Sequence, residues 1–214
     1  MNKAIFIVFS LLLPVICFAE NKNDIQKHMN SGISYVQSGL YDKAIAEFNA
    51  VIKIDHNNAD AYNNLGLANR EKGDLDQALY DYSKAIAINP SRAGAYNNRG
   101  LLYGKYMFEF DGAIADFTKA LELDPKYIDA YMSRGMAYSY KKQFDNAISD
   151  YDKIIEINPK APDAYYNRAA SYYYKGEYDK SWADLRKAQN LGAKIDPNFI
   201  NNLKKASGAE KGKE

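Results

Sequence analysis

The sequence predicts an all-α solenoid in which about five helix-turn-helix units follow one another and end in a capping helix. A tyrosine recurs at intervals of 34 or 35 residues, at Tyr62, Tyr96, Tyr131 and Tyr165. A small residue follows each tyrosine four places later, at Gly66, Gly100, Gly135 and Ala169. A proline closes three of the units, at Pro90, Pro125 and Pro159. A repeat of this length is typical of helical pairs that bury their apolar faces against their neighbours.

The second unit shows why the pattern predicts paired helices. Tyr62 and Gly66 share one face of a first helix, and Ala78 and Tyr82 share one face of a second helix, by i, i+4 spacing. The small residues let the two helix backbones approach, while the rings fill the space beside them. Pro90 then ends the second helix, because the residue before a proline disfavours the helical conformation.

Five such units resemble the tetratricopeptide repeat (TPR) family. The resemblance covers the family's tyrosine, glycine or alanine, aromatic and proline positions, and we assign the units to residues 25–58, 59–92, 93–127, 128–161 and 162–195. It implies a right-handed α-solenoid in which the first helix of each unit lines a concave groove. In this family the groove binds extended peptides or partner helices.

The first nineteen residues have the composition of a secretory signal peptide. Lys3 is followed by an apolar run from Ala4 to Phe18, which is shorter than the roughly 20 residues of a membrane-spanning helix. We expect a signal peptide over 1–19, cleaved after Ala19, and a short leader over 20–24. The protein is then exported, to the bacterial periplasm or out of the cell, without membrane insertion after cleavage.

Cys17 is the only cysteine of the chain. Bulky Ile16 directly before it argues against a lipoprotein, whose signal requires a small residue there. Cleavage after Ala19 removes Cys17, so the mature chain is expected to be stabilised by packing and not by disulfides. The formal net charge of +1 argues against binding to nucleic acid or to anionic membranes.

Two features concern the other end of the chain. Asp196 and Pro197 are suited to the N-cap and first position of a helix, so we expect a capping helix over 196–206. Residues 207–214 are small and charged, which is typical of a disordered tail.

One position on the groove face of the first helices is asparagine in four of five units. These residues are Asn30, Asn64, Asn98 and Asn167, with Ser133 in the fourth unit. An asparagine amide can satisfy both the N–H and the C=O of a bound peptide. The row is similar to the asparagine ladder in the TPR region of O-linked N-acetylglucosamine transferase, which implies peptide-backbone binding. The alternative is that these asparagines serve helix packing alone.

Other groove-facing residues complete the candidate peptide site. Asn63 and Asn97 are expected to adjust the groove locally, and Asp60, Asp129 and Asp163 to favour partners with positive charge. The C-terminal part of the groove gains side chains suited to adaptable interfaces, and these are Met132, Met136, Tyr140, Tyr166, Tyr173 and Tyr174.

Charged residues also recur with the repeat. Arg99, Arg134 and Arg168 occupy one position on the first helices. The matching position on the second helices holds Glu47, Asp81, Asp116, Asp150 and Asp184. We expect each arginine to pair with an aspartate of this row. Such a row gives the carboxylates similar environments, whereas acid–base catalysis requires environments that separate the pKa values.

The chain contains no catalytic or nucleotide-binding motif, so we expect neither an enzyme nor a cofactor. His28 stands where other units have tyrosine and is expected to replace that ring in packing. A metal site is not expected, since His56 is distant in a predicted turn.

These observations favour a non-enzymatic interaction scaffold or adaptor of the cell envelope, which binds a peptide or partner segment in the groove. The alternative is an assembly protein that forms homo-oligomers. Its contact would be the C-terminal helix or the turn from Met107 to Phe110, which is longer and more apolar than the other turns.

Overall fold

A computed structural model describes residues 22–208, and every regular element in that range is helical. The predicted signal peptide, leader residues 20 and 21, and tail residues 209–214 lie outside the described residues. The chain divides into two compact units, one ending at Leu102 and one beginning at Tyr103. Within residues 22–208, no helix is both long and apolar enough to cross a membrane.

The first unit consists of antiparallel helix pairs. Its helices are α1 over 22–37, α2 over Tyr41–Ile54, α3 over Ala59–Lys72, α4 over Leu75–Ile88 and α5 over Ala93–Leu101. Helix α1 already includes residues 22–24, which the sequence analysis assigned to the leader. Ala44, Phe48, Leu65 and Ala68 form a core cluster between the first two pairs.

The second unit continues the alternation of first and second helices. After a π-helical turn over Leu102–Met107, its helices are α6 over Phe110–Leu123, α7 over Ile128–Tyr140, α8 over Phe144–Ile157, α9 over Pro162–Lys175, α10 over Tyr178–Asn190 and α11 over Pro197–Ser207. Tyr151 and Ile154 lie at the centre of one core cluster, and Leu185 and Leu203 at the centre of another.

Close approach within a helix pair depends on the glycine that recurs in the sequence. A Cβ atom added at Gly66 would lie 2.8 Å from the ring of Tyr82, and one added at Gly135 would lie 2.7 Å from the ring of Tyr151. Both rings are fully buried. The sequence prediction that small residues make room for these rings is confirmed.

The longer third unit is accommodated by its π-helical turn. A π-helix takes up one additional residue per turn, so the amide of Glu109 bonds back to the carbonyl of Tyr103, six residues earlier. The equivalent amide of Gln143 reaches five residues back, to Tyr138. Phe108 takes a left-handed φ of 58° in the turn after the first helix, where three other repeats have Gly39, Gly73 and Gly176.

Helix α11 closes the C-terminal end of the second unit. The side chain of Asp196 accepts a hydrogen bond from the backbone N–H of Asn198, which caps the helix. Leu203 is fully buried, and Phe199 and Ile200 pack on the same cluster. Ser207 is the last residue of this helix, although the sequence analysis placed it in the tail.

Candidate functional site

The repeated charged residues hold the helix pairs of the second unit together. Arg134 donates two hydrogen bonds to the carboxylate of Asp150, at 2.9 and 2.7 Å, and Arg168 donates two to Asp184, both at 2.7 Å. The predicted pairing is confirmed for these two arginines. Burial raises the pKa of Asp150 even though the guanidinium of Arg134 lowers it. These carboxylates therefore fix helix packing and are not presented to solvent.

The equivalent carboxylate of the second repeat has a different partner. Asp81 accepts hydrogen bonds from the amides of Asn69 at 2.7 Å and Gln77 at 2.9 Å. Leu65, a core residue, stands where later repeats have arginine. Since these amides carry no charge, burial raises the pKa of Asp81 to about 6.

The first repeat replaces this arrangement with a histidine. The Nδ1 atom of His28 lies 2.6 Å from Oε2 of Glu47. That His28 replaces a tyrosine ring in packing stays a prediction, and the half-exposed imidazole also makes a polar contact with this carboxylate.

Two asparagines of the candidate row contact side chains of the preceding repeat. The amide nitrogen of Asn98 donates to Oδ1 of Asn63 at 2.9 Å, and that of Asn167 lies 3.3 Å from the sulfur of Met132. The oxygen of each donating amide has no hydrogen-bond partner among residues 22–208. These contacts orient the amides and leave their acceptor atoms available.

The remaining asparagines differ in exposure. Asn64 is half-buried, and exposed Asn30 accepts a 2.8 Å hydrogen bond from Gln26. Asn63 and Asn97 are only 8% and 4% exposed. These two side chains therefore lie against neighbouring helices and present little surface to a ligand.

Two tyrosines of the candidate site contact the C-terminal helix. Tyr166 and Tyr173 both meet the ring of Phe199 edge to face, with ring centroids 5.7 and 5.5 Å apart. The sequence predicted a capping helix over the last repeat, but it placed these two tyrosines in the open groove.

The three acidic residues of the candidate site lie near the starts of first helices. Asp60 forms an ion pair with Arg92, which precedes the next first helix. Asp129 and Asp163 are exposed. No group of three metal-ligating side chains suited to hold an ion occurs within the described part of the chain.

A cavity of about 670 Å³ opens between α7, α8 and α9. Met136, Tyr140 and Tyr174, which the sequence analysis assigned to the groove, line it together with Asn167. Its volume lies within the range of ligand pockets, and its walls combine apolar side chains with a few polar groups.

Two stacked aromatic pairs support the cavity rim. Tyr140 lies parallel to Phe110 with ring centroids 5.0 Å apart, and Tyr174 lies parallel to Phe144 at 5.5 Å. Both tyrosines remain 67% exposed. Each stack joins the end of a first helix to the start of the second helix of the preceding repeat. The sequence analysis did not identify Phe144, although its spacing of 34 from Phe110 was a usable signal.

Lysines beside these stacks form a further repeated contact. Lys175 lies 2.5 Å from Asp145, and Lys141 forms the corresponding ion pair with Asp111. Lys142 lines the cavity, has a left-handed φ of 58°, and has no carboxylate partner within residues 22–208. No sequence pattern marks Lys142, because its position at the cavity depends on the turn conformation.

Comparison with family models matches almost all of the repeat region. A TPR repeat model matches residues 32–71 and 68–105, and tetratricopeptide repeat models match residues 93–127, 128–161 and 150–183. The comparison with curated proteins gives no match.

Several solved structures are similar. MamA is 26% identical, with a TM-score of 0.70 over 82% of this chain and 100% of its own. YrrB, described as a TPR protein with an unusual peptide-binding site, is 23% identical, with a TM-score of 0.68 over 92% of this chain and 97% of its own. PilF of Pseudomonas aeruginosa is 19% identical, with a TM-score of 0.78 over 90% of this chain and 88% of its own. The predicted all-α fold class is confirmed.

Proposed function

Because this chain belongs to the tetratricopeptide repeat family, we propose that it is a non-enzymatic scaffold whose first helices hold a peptide or partner segment. TPR proteins are typically interaction scaffolds without catalytic activity. The observation that carries the proposal is the cavity of about 670 Å³ lined by first-helix residues Met136, Tyr140, Asn167 and Tyr174. Exposed rings beside an oriented amide suit a bound polypeptide, which offers both apolar side chains and backbone hydrogen-bonding groups.

The asparagine row supplies the backbone contacts in this proposal. The anchored amide nitrogens of Asn98 and Asn167 leave an oxygen that can accept a peptide N–H. Asn64 occupies the same repeat position and is half-buried. A row that binds backbone atoms accepts many side-chain sequences, so specificity depends on the surrounding pockets.

The location proposed for this scaffold is the bacterial cell envelope, after export and removal of residues 1–19. The basic start and apolar run of this segment support export. The mass of the mature protein purified from host envelope fractions tests it. Cleavage after Ala19 is the expected result, and an intact N-terminus on cytoplasmic protein would overturn it.

A double substitution tests the asparagine row. Asn64→Ala/Asn98→Ala is compared with the parent by chemical crosslinking in the native host and mass spectrometry of the products. We expect the parent's crosslinked partners to be lost from this variant. The matched control is Asn146→Ala/Asn201→Ala, which alters two exposed asparagines outside the row. Retained partners in a variant with parental helical content would reject the role of the row.

A second candidate function is self-association through the third-unit turn. Phe108 favours it, because this large apolar ring is 71% exposed at the tip of the turn. Sedimentation velocity over a wide concentration range tests the idea, with Phe108→Ser as the comparison. A parent protein that stays monomeric at every concentration would remove this candidate.

A further inference from the structure

The cavity of the second unit combines features that select among peptides. We define the aromatic cleft as the site formed by Met136, Tyr140, Lys142, Phe144, Asn167 and Tyr174. Its apolar members come from three different helices. The cleft is therefore a product of repeat packing and not of one exposed helix face.

The rings of the cleft are held rigidly. Phe110 and Phe144 each cover one face of a tyrosine, at interplanar angles of 10° and 11°. Tyr140 and Tyr174 nevertheless remain 67% exposed, and Met136 beside them is 44% exposed. A ring that is already ordered loses little conformational entropy when it binds a ligand. The cleft is thus suited to hold an apolar side chain.

Polar atoms lie within the same cleft. The hydroxyl oxygens of Ser139 and Ser171 are 3.5 Å apart, and both residues line the cavity. Asn167 also lines the cavity, and its amide nitrogen lies 3.3 Å from the sulfur of Met132. These groups suit the backbone next to an inserted side chain, so the occupant is a polypeptide segment and not a hydrocarbon chain.

The charge of the cleft is positive. Two neighbouring lysines are neutralised by ion pairs, Lys141 with Asp111 and Lys175 with Asp145. Lys142 contributes an exposed ammonium group with no carboxylate partner in the described part of the chain. A bound segment that places a carboxylate beside Lys142 would give this lysine the ion pair that Lys141 and Lys175 already have.

The first unit does not share these features. Glu71 stands in α3 where α7 and α9 carry Tyr140 and Tyr174, and it is bound by Arg70. Leu75 stands in place of Phe144. The aromatic cleft is consequently not a general property of the repeat in this chain, and it distinguishes one unit from the other.

We propose that the aromatic cleft binds a segment of a partner protein that presents an aromatic or leucine side chain next to an acidic residue. The apolar side chain lies between Tyr140 and Tyr174 over Met136, and the carboxylate pairs with Lys142. This inference rests on the proposed scaffold function and adds the chemistry of the partner. It differs from the sequence expectation of positively charged partners, which rested on residues at the opposite ends of the helices, such as Asp129 and Asp163.

Three defined peptides with blocked termini test the proposal on the mature chain. They are acetyl-Gly-Glu-Phe-Leu-Glu-Gly-amide, a second peptide with Lys in place of both Glu residues, and a third with Ser in place of Phe and Leu. Methyl-labelled methionine provides the readout by NMR. Met136 reports the cleft, Met29 of the first unit is an internal control, and Met136→Leu assigns the signal. We expect the acidic apolar peptide to shift the Met136 signal and the other two to bind at least about fivefold more weakly.

Substitutions at exposed side chains identify the contacts. Tyr140→Ala is expected to weaken binding of the acidic apolar peptide about tenfold. Lys142→Glu is expected to weaken it about fivefold and to strengthen binding of the basic peptide. Because Lys142 is exposed, this variant remains informative if Tyr140→Ala disturbs folding. Equal binding of acidic and basic peptides by the parent would overturn the charge assignment.

Other occupants give different results. A Met136 signal that moves with protein concentration alone would identify a second copy of the chain as the occupant and overturn the proposal. An unchanged Met136 signal at millimolar acidic apolar peptide would also overturn it. If host crosslinks still depend on Asn64 and Asn98 in that case, the scaffold function stands and only the partner chemistry is wrong.

Discussion

The side-chain amide of Asn69 donates a 2.7 Å hydrogen bond to the carboxylate of Asp81, which is only 1% exposed. At the same place in the fourth repeat, Asp150 is bound by Arg134. A neutral amide stabilises a buried charge less than a guanidinium does. The same carboxylate position therefore contributes to stability in different ways in the two repeats.

Asp81 is expected to make the protein less stable as the pH rises from about 4 to about 6. Its pKa is about 6 in the folded state against an ordinary value of 3.8, so the folded state holds a proton in this interval that the unfolded chain has released. A shift of this size corresponds to about 3 kcal/mol of lost stability above pH 6.

Urea unfolding of the parent and of Asp81→Asn across pH 4–8 measures the difference in their free energies of unfolding. The variant should be of similar stability at pH 4 and more stable by roughly 2 to 3 kcal/mol at pH 7.5, because it does not undergo this loss. A difference independent of pH would contradict the prediction.

Asp150→Asn should have the opposite effect at pH 7.5. It leaves the guanidinium of Arg134, whose side chain is 17% exposed, without its charged partner. Removing one member of a largely buried pair costs about 3 kcal/mol. The same urea unfolding series measures this loss, and Asp145→Asn, at an exposed side chain, gives the effect of removing a surface carboxylate. Stabilisation by Asp150→Asn would show that the pair is dispensable.

Gly66→Ala is expected to destabilise the first unit. The new Cβ atom would lie 2.8 Å from the buried ring of Tyr82, so the helix pair must separate, at a cost of about 1 to 3 kcal/mol. Gly94→Ala is the matched control, because nothing lies within 4 Å of its new Cβ atom. We expect this change in α5 to raise the free energy of unfolding by about 0.5 kcal/mol. Equal effects of the two substitutions in urea unfolding would argue against close packing at Gly66.

Phe108→Gly should stabilise the turn relative to Phe108→Ala. Phe108 has a left-handed φ of 58°, which glycine adopts without the clash that a Cβ atom produces. Both variants lose the edge-to-face contact with Phe110, so their difference isolates the backbone strain. Thermal unfolding followed by circular dichroism should show the glycine variant to be more stable by about 1 kcal/mol. A more stable alanine variant would contradict the left-handed conformation.

Leu203→Ala tests the docking of the C-terminal helix. Leu203 is fully buried against the cluster that contains Trp182, and its truncation is expected to cost about 2 to 4 kcal/mol. Trp182 of α10, the single tryptophan, donates a 3.2 Å hydrogen bond to Ser207 of α11. Its fluorescence should therefore shift to the red at lower urea concentration in the variant. Lys204→Ala, at an exposed position, should leave the transition unchanged.

Much of the candidate site follows from the period of the sequence. Met136, Tyr140 and Tyr174 occupy repeat positions that face the groove in this family, and all three line the cavity. The sequence predicted a helix that caps the last repeat, but it did not predict that Phe199 of this helix contacts Tyr166 and Tyr173, which were expected to face the groove. Lys142 could not be predicted either. It is itself the left-handed residue of its turn, and a left-handed residue that is not glycine leaves no sequence signal.

The all-α class and the small residues at close helix contacts can be read from the sequence alone. Every repeat must bury the same faces against its neighbours, and this requirement imposes a visible period. Three further features became visible in the folded structure. They are the group that binds each buried carboxylate, the π-helical turn that absorbs the additional residue of the third unit, and the place where the aromatic cleft opens. These outcomes depend on contacts between side chains of different helices, whose distances and orientations a linear pattern does not contain.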